Sequence, residues 1–113
     1  MMFEVTEAGP GTSLVVMRGR LDVVGCETVE VPFTAAVGNA EGNAMLDASG
    51  LEFVGSLGLR LLISTARVLQ RRQRQIVVYG APPAVREVFD TVSLEQMIPI
   101  FATEAEARAF LGL

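Results

Sequence analysis

The stretch LDASGLEFVGSLGLRLL, residues 46–62, joins the two patterns that decide the fold. It begins inside the apolar run AMLDA, residues 44–48, which is typical of a buried β-strand. From Leu57 to Arg72, apolar residues recur at helical spacing and predict an amphipathic helix. Residues 49–55 between these patterns read as a loop with an apolar centre. The stretch therefore predicts a strand, a loop and a helix in succession.

Ser56 stands where this loop meets the helix, between Gly55 and Gly58. Serine is a favoured helix N-cap, which predicts that Ser56 caps the helix. Gly55 permits an unusual backbone angle, and Gly58 leaves the first helical turn open to close approach. The hydroxyl would head a stripe of residues on the helix side away from the core, and its phosphorylation would add about −1.5 to −2 charges there. That stripe is Arg60, Ser64, Arg67 and Arg71.

Strand and helix patterns also alternate on either side of this stretch. Upstream, Phe3–Ala8 and Ser13–Arg18 predict a hairpin around a Gly-Pro-Gly turn. A helix capped by Asp22 follows; it is either kinked at Pro32 or regular only from Pro32 to Val37, with Gly38 as its stop. The remaining predicted elements are a polar loop at residues 39–43, a buried strand Ile76–Tyr79, a helix from Pro83 to about Thr91, an edge strand Ile98–Phe101 and a last helix capped by Thr103 and ending near Leu111.

The element order is thus ββαβαβαβα. It predicts an α/β fold in which a mixed sheet packs against helices, as one domain over residues 1–113. Three aromatic residues are expected only in the core: Phe89, Phe101 and Phe110.

Composition excludes several functional classes. The chain has no histidine, which excludes a Ser-His or Cys-His hydrolase and disfavours a zinc site, so we expect no metal and no cofactor. Its single cysteine, Cys26, excludes an internal disulfide. Asp47, Glu52 and Ser56 are the only catalytic candidates in one region, and no base accompanies the serine, so we expect no enzyme.

Charge and hydropathy indicate where the protein acts. The formal net charge of −4 does not favour nucleic-acid binding. Arg60 interrupts the best candidate for a membrane span, and we expect none. The start, MMFEVTEAGP, has glutamates and no basic leader, unlike a signal peptide. We therefore expect a cytoplasmic protein.

Three segments together resemble the STAS domain family, and in particular its anti-sigma factor antagonists. They are GRLD at residues 19–22, the central stretch at 46–62, and VVYGAPPAVREVFDTVSLEQMIPIFATEAEA at 77–107. The resemblance implies a STAS-like fold and a bacterial, non-enzymatic partner-switching protein. Such an antagonist binds a kinase-like anti-sigma factor and so frees a sigma factor. Phosphorylation of the signature serine breaks the complex, and a phosphatase restores it.

The family's signature residues carry over to Ser56 for the serine, Gly58 for the glycine and Asp47 for the aspartate at the strand end. Within the signature, Gly55 replaces the family's aspartate before the serine, and Leu57 replaces a small polar residue. Elsewhere, Val92-Ser93-Leu94 stands for the family's Ser-Gly-Leu, and Pro32 lies where the family usually has an uninterrupted helix. The partner-binding residues expected on these grounds are Asp22, Asp47, Val54, Gly55, Ser56, Leu57, Gly58, Arg60, Ser64 and Arg67.

Several alternatives stay open at this point. Ser56 can be an unmodified structural cap, and the Asp47 carboxylate can simply bond to backbone N–H groups of the next loop. Val54 and Leu57 are core residues by default, whereas exposure beside Ser56 would favour protein binding. The departures at Gly55 and Leu57 favour a second function, a non-switching STAS scaffold in a stressosome-like assembly or a lipid-transport ATPase complex. The sequence also leaves open whether two copies form a homodimer.

Overall fold

A computed structural model describes residues 1–38 and 40–113. Over these residues the chain forms five strands and four α-helices in the predicted order ββαβαβαβα. A short 3₁₀ turn at Leu94–Gln96 precedes the last strand. The elements are β1 Met2–Gly9, β2 Thr12–Leu21, α1 Val23–Gly38, β3 Ala44–Val54, α2 Ser56–Arg71, β4 Ile76–Tyr79, α3 Pro83–Thr91, β5 Ile100–Phe101 and α4 Glu104–Leu111.

The strands form one mixed sheet in the order β1-β2-β3-β4-β5. The first pair, β1 and β2, is the predicted antiparallel hairpin, and every later pair is parallel. Each parallel strand therefore returns through a helix to the next position in the sheet. Since such crossovers are right-handed, moving in one direction along the sheet places α1, α2 and α3 on the same face.

The core has two parts, one on each face of the sheet. The larger part lies under α1, α2 and α3, and the smaller part lies under α4. On the larger side Phe33, Leu62 and Phe89 bring the three helices onto the strands, and all three side chains are fully buried. On the smaller side Ala107 of α4 packs on Met45, Val77 and Tyr79.

The strand β3 is longer than predicted, because it continues from Ala48 to Val54. The expected loop over residues 49–55 is wrong in that range. The reason is the neighbouring strand: β2 pairs with β3 up to Leu21 opposite Val54, with two irregularities on the way. In contrast, β4 accompanies β3 only as far as Asp47, opposite Tyr79. Asp47 is therefore a mid-strand residue.

Helix α1 is continuous, so the alternative in which it becomes regular only at Pro32 is wrong. Asp22 caps it as predicted, since the N–H of Gly25 donates to Asp22 Oδ1 at 2.8 Å. Pro32 removes the N–H that would bond to the carbonyl of Thr28. Both residues are exposed, so water can bond to that carbonyl and the helix tolerates the proline.

The remaining boundaries follow the prediction closely. The β4 and α3 ranges agree, and Thr103 caps α4 by accepting from the N–H of Glu106 at 3.2 Å. The edge strand β5 is shorter than predicted and excludes Pro99, whose carbonyl still accepts from Val78 N–H at 3.0 Å. Asn39 of the predicted polar loop lies outside the described residues.

Among the residues that the structure describes, no helix is long and apolar enough to cross a membrane.

Candidate functional site

Ser56 is the first residue of α2 and not its N-cap, so the predicted cap is wrong. The cap is Gly55, whose extended backbone (φ −97°, ψ −176°) precedes the helix and whose carbonyl accepts from Leu59 N–H at 3.0 Å. No side chain caps α2. The Ser56 side chain is exposed, and its hydroxyl has no hydrogen-bond partner within residues 1–38 and 40–113. The hydroxyl is therefore free for another role.

The end of β2 fixes the start of α2. Gly55 N–H donates to the carbonyl of Leu21 at 3.0 Å, which ties the cap to the neighbouring strand. Gly58 packs on the same residue, because a Cβ added there would lie 2.8 Å from the Leu21 side chain. The open space predicted beside Gly58 is thus filled by Leu21. Val54 is buried as its default predicted, so neither Val54 nor Gly58 offers a side chain to a partner.

A pocket of about 410 Å³ opens beside Ser56 where β2 and β3 end and α1 and α2 begin. Within it the Arg20 guanidinium lies over the Phe53 ring, 4.5 Å from the ring centroid. Arg20 Nε also lies 3.5 Å from Asp22 Oδ2. We call this the Ser56 pocket; its lining is Arg20, Asp22, Val23, Phe53, Gly55, Ser56 and Leu57.

The rim of the Ser56 pocket is apolar and open to solvent. Val23 is 56% exposed, Leu57 42% and Phe53 38%. The default expectation that Leu57 is a core residue is therefore wrong. Large apolar side chains grouped at the surface are typical of protein-binding sites. The condition under which the sequence favoured protein binding is thus met by Leu57 and not by Val54, which is buried.

Asp22 caps helix α1 and also lines the Ser56 pocket. The pKa of its carboxyl is held below the ordinary value, first by the hydrogen bond from Gly25 N–H and further by the nearby Arg20 charge, with partial burial opposing both. The carboxylate therefore stays ionised at neutral pH.

A groove of about 410 Å³ runs between α1 and α2 and begins at the Ser56 pocket. We call it the groove. Glu27 and Glu30 line it from α1, and Arg60 and Ser64 line it from α2. No ion pair joins these glutamates to Arg60 within the described part of the chain. Cys26 lies in the floor, and burial raises the pKa of its thiol, with Asp22 and Glu30 adding to the effect. The groove therefore offers an apolar floor between walls of opposite charge.

The predicted stripe on α2 is exposed, as expected for Arg60, Ser64, Arg67 and Arg71. Its first two members line the groove, whereas Arg67 lies further along α2 and lines neither concavity.

Asp47 lies away from this region, on the sheet face that α4 covers. It is paired in register with Tyr79, which belongs to the small core under α4. The backbone N–H and the hydroxyl of Ser49 both donate to Asp47 Oδ1, at 2.9 and 2.6 Å. This matches the alternative in which the carboxylate bonds to backbone nearby. The structure does not bring Asp47 to the Ser56 pocket.

Tyr79 anchors this second face. Its hydroxyl donates to Glu104 Oε1 at 3.3 Å. Burial raises the pKa of Tyr79 well above its ordinary value, and the nearby carboxylates of Asp47 and Glu104 raise it further. The tyrosine is therefore neutral and holds α4 to the sheet.

Two aromatic residues differ from their expected burial. Phe89 is fully buried, but Phe101 is only half-buried and Phe110 is 51% exposed. Their ring centroids are 5.2 Å apart, so they form a small surface pair between β5 and α4.

Arg20 and Phe53 are pocket residues that sequence reasoning missed. They face each other because β2 and β3 pair in register at these two positions. The expected loop over residues 49–55 concealed this pairing. The cue in the sequence is the arginine within GRLD at the end of the second strand. A longer third strand would have placed Phe53 beside it.

Comparisons with known proteins agree with this architecture. Residues 5–107 match the family model of the STAS domain, and the chain belongs to that family. It is 30% identical over 101 residues to BtrV of Bordetella bronchiseptica, a candidate anti-sigma factor antagonist, covering 88% of this chain and 87% of the relative.

Solved structures show the same fold. An anti-sigma factor antagonist from Mycobacterium paratuberculosis superposes with a TM-score of 0.86 at 26% identity, covering 99% of this chain and 94% of that one. Unphosphorylated SpoIIAA, also an anti-sigma factor antagonist, gives 0.82 at 23% identity, with 99% and 98% covered. Phosphorylated Bacillus SpoIIAA gives 0.72 at 23% identity, with 94% and 96% covered.

Proposed function

We propose that this protein is an anti-sigma factor antagonist. In this proposal it binds a kinase-like anti-sigma factor through the Ser56 pocket and its apolar rim, and so releases a sigma factor. Phosphorylation of Ser56 ends the binding, and a phosphatase restores it. The names of the relatives support the partner class, and the exposed Ser56 supports the switch.

The observation that carries the proposal is a free hydroxyl within an exposed apolar rim. Val23, Phe53 and Leu57 offer the apolar area that a protein partner would cover. A phosphate on Ser56 would add about −1.5 to −2 charges to that contact and would lose its hydration if the partner stayed in place. Since the start of a helix favours an anion, the same phosphate leaves α2 intact. The modification would act on the complex and not on the fold.

The chemistry of the switch is phosphoryl transfer. The Ser56 oxygen forms a bond to the γ-phosphorus of ATP while the bond from that phosphorus to the β,γ-bridging oxygen breaks. ADP leaves, and the hydroxyl proton passes to a base of the kinase. Hydrolysis by the phosphatase returns serine and inorganic phosphate.

Gly55 changes how the partner would recognise the serine. A Cβ added at this position would lie 3.2 Å from the Phe53 ring, so the ring lies close to Gly55 and would have to shift slightly to admit a side chain there. The partner would therefore meet an apolar ring and the Arg20 guanidinium beside Ser56. We propose that its kinase site accepts this surface without an acidic residue before the serine.

The test combines the protein with the kinase-like anti-sigma factors of its host and ATP, and locates phosphate by mass spectrometry. We expect one phosphoryl group on Ser56, no incorporation in Ser56→Ala and normal incorporation in Thr91→Ala. Thr91 is a control because it is an exposed hydroxyl residue on α3 that lines neither the Ser56 pocket nor the groove between α1 and α2. Binding without phosphorylation, or phosphorylation that persists in Ser56→Ala, would overturn the switch.

A second candidate function uses the same fold without a phosphorylation switch. Gly55 and the exposed Leu57 favour a constitutive scaffold, in a stressosome-like assembly or with a transporter ATPase. A stable complex with such a partner or with further copies of this chain, with Ser56 unmodified in the host, would support this alternative.

A further inference from the structure

Arg20 is the one cation that lines the Ser56 pocket within the described residues. It has two contacts there, the Phe53 ring at 4.5 Å and the Asp22 carboxylate at 3.5 Å. The Arg20 side chain is 58% exposed and that of Asp22 is 38% exposed. Ion pairs and cation–π contacts at such exposure are weak, so the guanidinium can be redirected at small cost.

We infer that Arg20 binds the phosphate of phosphorylated Ser56 within the same molecule. To reach the phosphate, the guanidinium gives up its contact with the Asp22 carboxylate. The inference rests on the proposed function only in taking Ser56 as the modified residue. Phosphorylation then has two effects on the partner surface: it adds charge at Ser56, and it moves the cation that otherwise lies between Phe53 and Asp22.

The phosphate and the Asp22 carboxylate compete for the Arg20 guanidinium, and the phosphate is favoured for two reasons. A phosphate carries more charge than a carboxylate and accepts paired hydrogen bonds from the planar guanidinium. In addition, Asp22 keeps its hydrogen bond from Gly25 N–H at 2.8 Å when Arg20 leaves. The carboxylate is therefore not left without a partner.

Arg60 is the main competitor for the phosphate, since it lies one helical turn after Ser56 on α2. The structure favours Arg20 over it. Arg60 lines the groove between α1 and α2 beside Glu27 and Glu30, and it does not line the Ser56 pocket. The Arg60 side chain therefore lines a different concavity from the one that Ser56 lines, and that concavity also contains two glutamates.

The experiment uses the full chain with phosphoserine incorporated at position 56 during synthesis, and follows the phosphate by ³¹P NMR across pH. The comparison is between the unsubstituted chain, Arg20→Gln, Arg60→Gln and the remote control Arg67→Gln. All three variants remove one exposed positive charge, and the start of α2 acts on the phosphate equally in each.

We expect the second pKa of the phosphate, near 6 when unperturbed, to be lower in the unsubstituted chain than in Arg20→Gln by about 0.5 pH units or more. Arg67→Gln should match the unsubstituted chain. An equal pKa in Arg20→Gln and the unsubstituted chain would overturn the inference, as would a shift abolished only by Arg60→Gln. Because no partner is present, either result leaves the binding of an anti-sigma factor to be judged separately.

Discussion

Around the candidate site, neighbouring atoms lie so close to several glycines that a Cβ would have little or no room. Gly58 leaves room for Leu21, and Gly55 leaves room for the Phe53 ring. The tightest case on α1 is Gly25, where an added Cβ would lie 2.0 Å from the backbone carbonyl oxygen of Arg20. The backbone at the end of β2 and the first turn of α1 are thus in direct contact.

We predict that Gly25→Ala lowers the free energy of unfolding by about 2–3 kcal/mol, because neither backbone segment can move aside without disturbing the cap at Asp22. Gly38→Ala is the matched control on the same helix, since its Cβ would meet no described atom within 4 Å. That control should be neutral or more stable by up to about 1 kcal/mol. Urea unfolding measures both, and equal stabilities would contradict the packing argument.

Leu57 was predicted as a partner-binding residue, with burial in the core as the default alternative, and the structure places it on the rim. We predict that Leu57→Ala weakens binding to the anti-sigma factor by about tenfold, or about 1.4 kcal/mol. Its unfolding free energy should change little, because the side chain is 42% exposed. Val92→Ala removes a similarly exposed side chain from the end of α3 and should bind normally. Calorimetric titration distinguishes them, and equal affinities would exclude Leu57 from the interface.

At the scale of elements, the sequence predicts the strands and helices whose patterns are local. β4, α3 and the Thr103 cap agree because apolar runs, proline and capping residues act within a few positions. The extension of β3 was missed because its polar and glycine residues suggest a loop, while its pairing with β2 depends on a strand distant in sequence. The cap of α2 was missed for a related reason. Its position depends on the Gly55 bond to Leu21, and serine's capping preference acts only locally.

Helix α1 is the element in which the local signal and the structure conflict most. We predict that Pro32→Ala raises the free energy of unfolding by about 1–3 kcal/mol, because it restores the N–H that can bond to the Thr28 carbonyl. Pro32 is exposed, so the change creates no cavity. Thermal or urea unfolding measures the effect. A loss of stability would mean that the packing of α1 requires the proline.

At the scale of the whole molecule, the sheet order positions the site. Because β2 and β3 run parallel, their carboxyl ends meet at one edge, and the helices that follow them begin there. This arrangement brings Asp22 and Arg20 beside Phe53 and Ser56. The alternation of side chains along β3 puts Asp47 on the α4 face with Met45, although Asp47 lies only nine positions before Ser56 in the sequence. Nearness along the chain was therefore a poor guide to the site, whereas strand order was a good one.

We expect a phosphate on Ser56 to end partner binding without unfolding the protein. The most direct measurement is calorimetric titration of the anti-sigma factor with the unmodified chain and with the chain that carries phosphoserine at position 56, alongside the unfolding temperature of each. We predict an affinity loss of about 100-fold or more, since a phosphate covered by the partner against the apolar rim loses its hydration at a cost of several kcal/mol, and nearly equal unfolding temperatures. Equal affinities for the two forms would contradict the account.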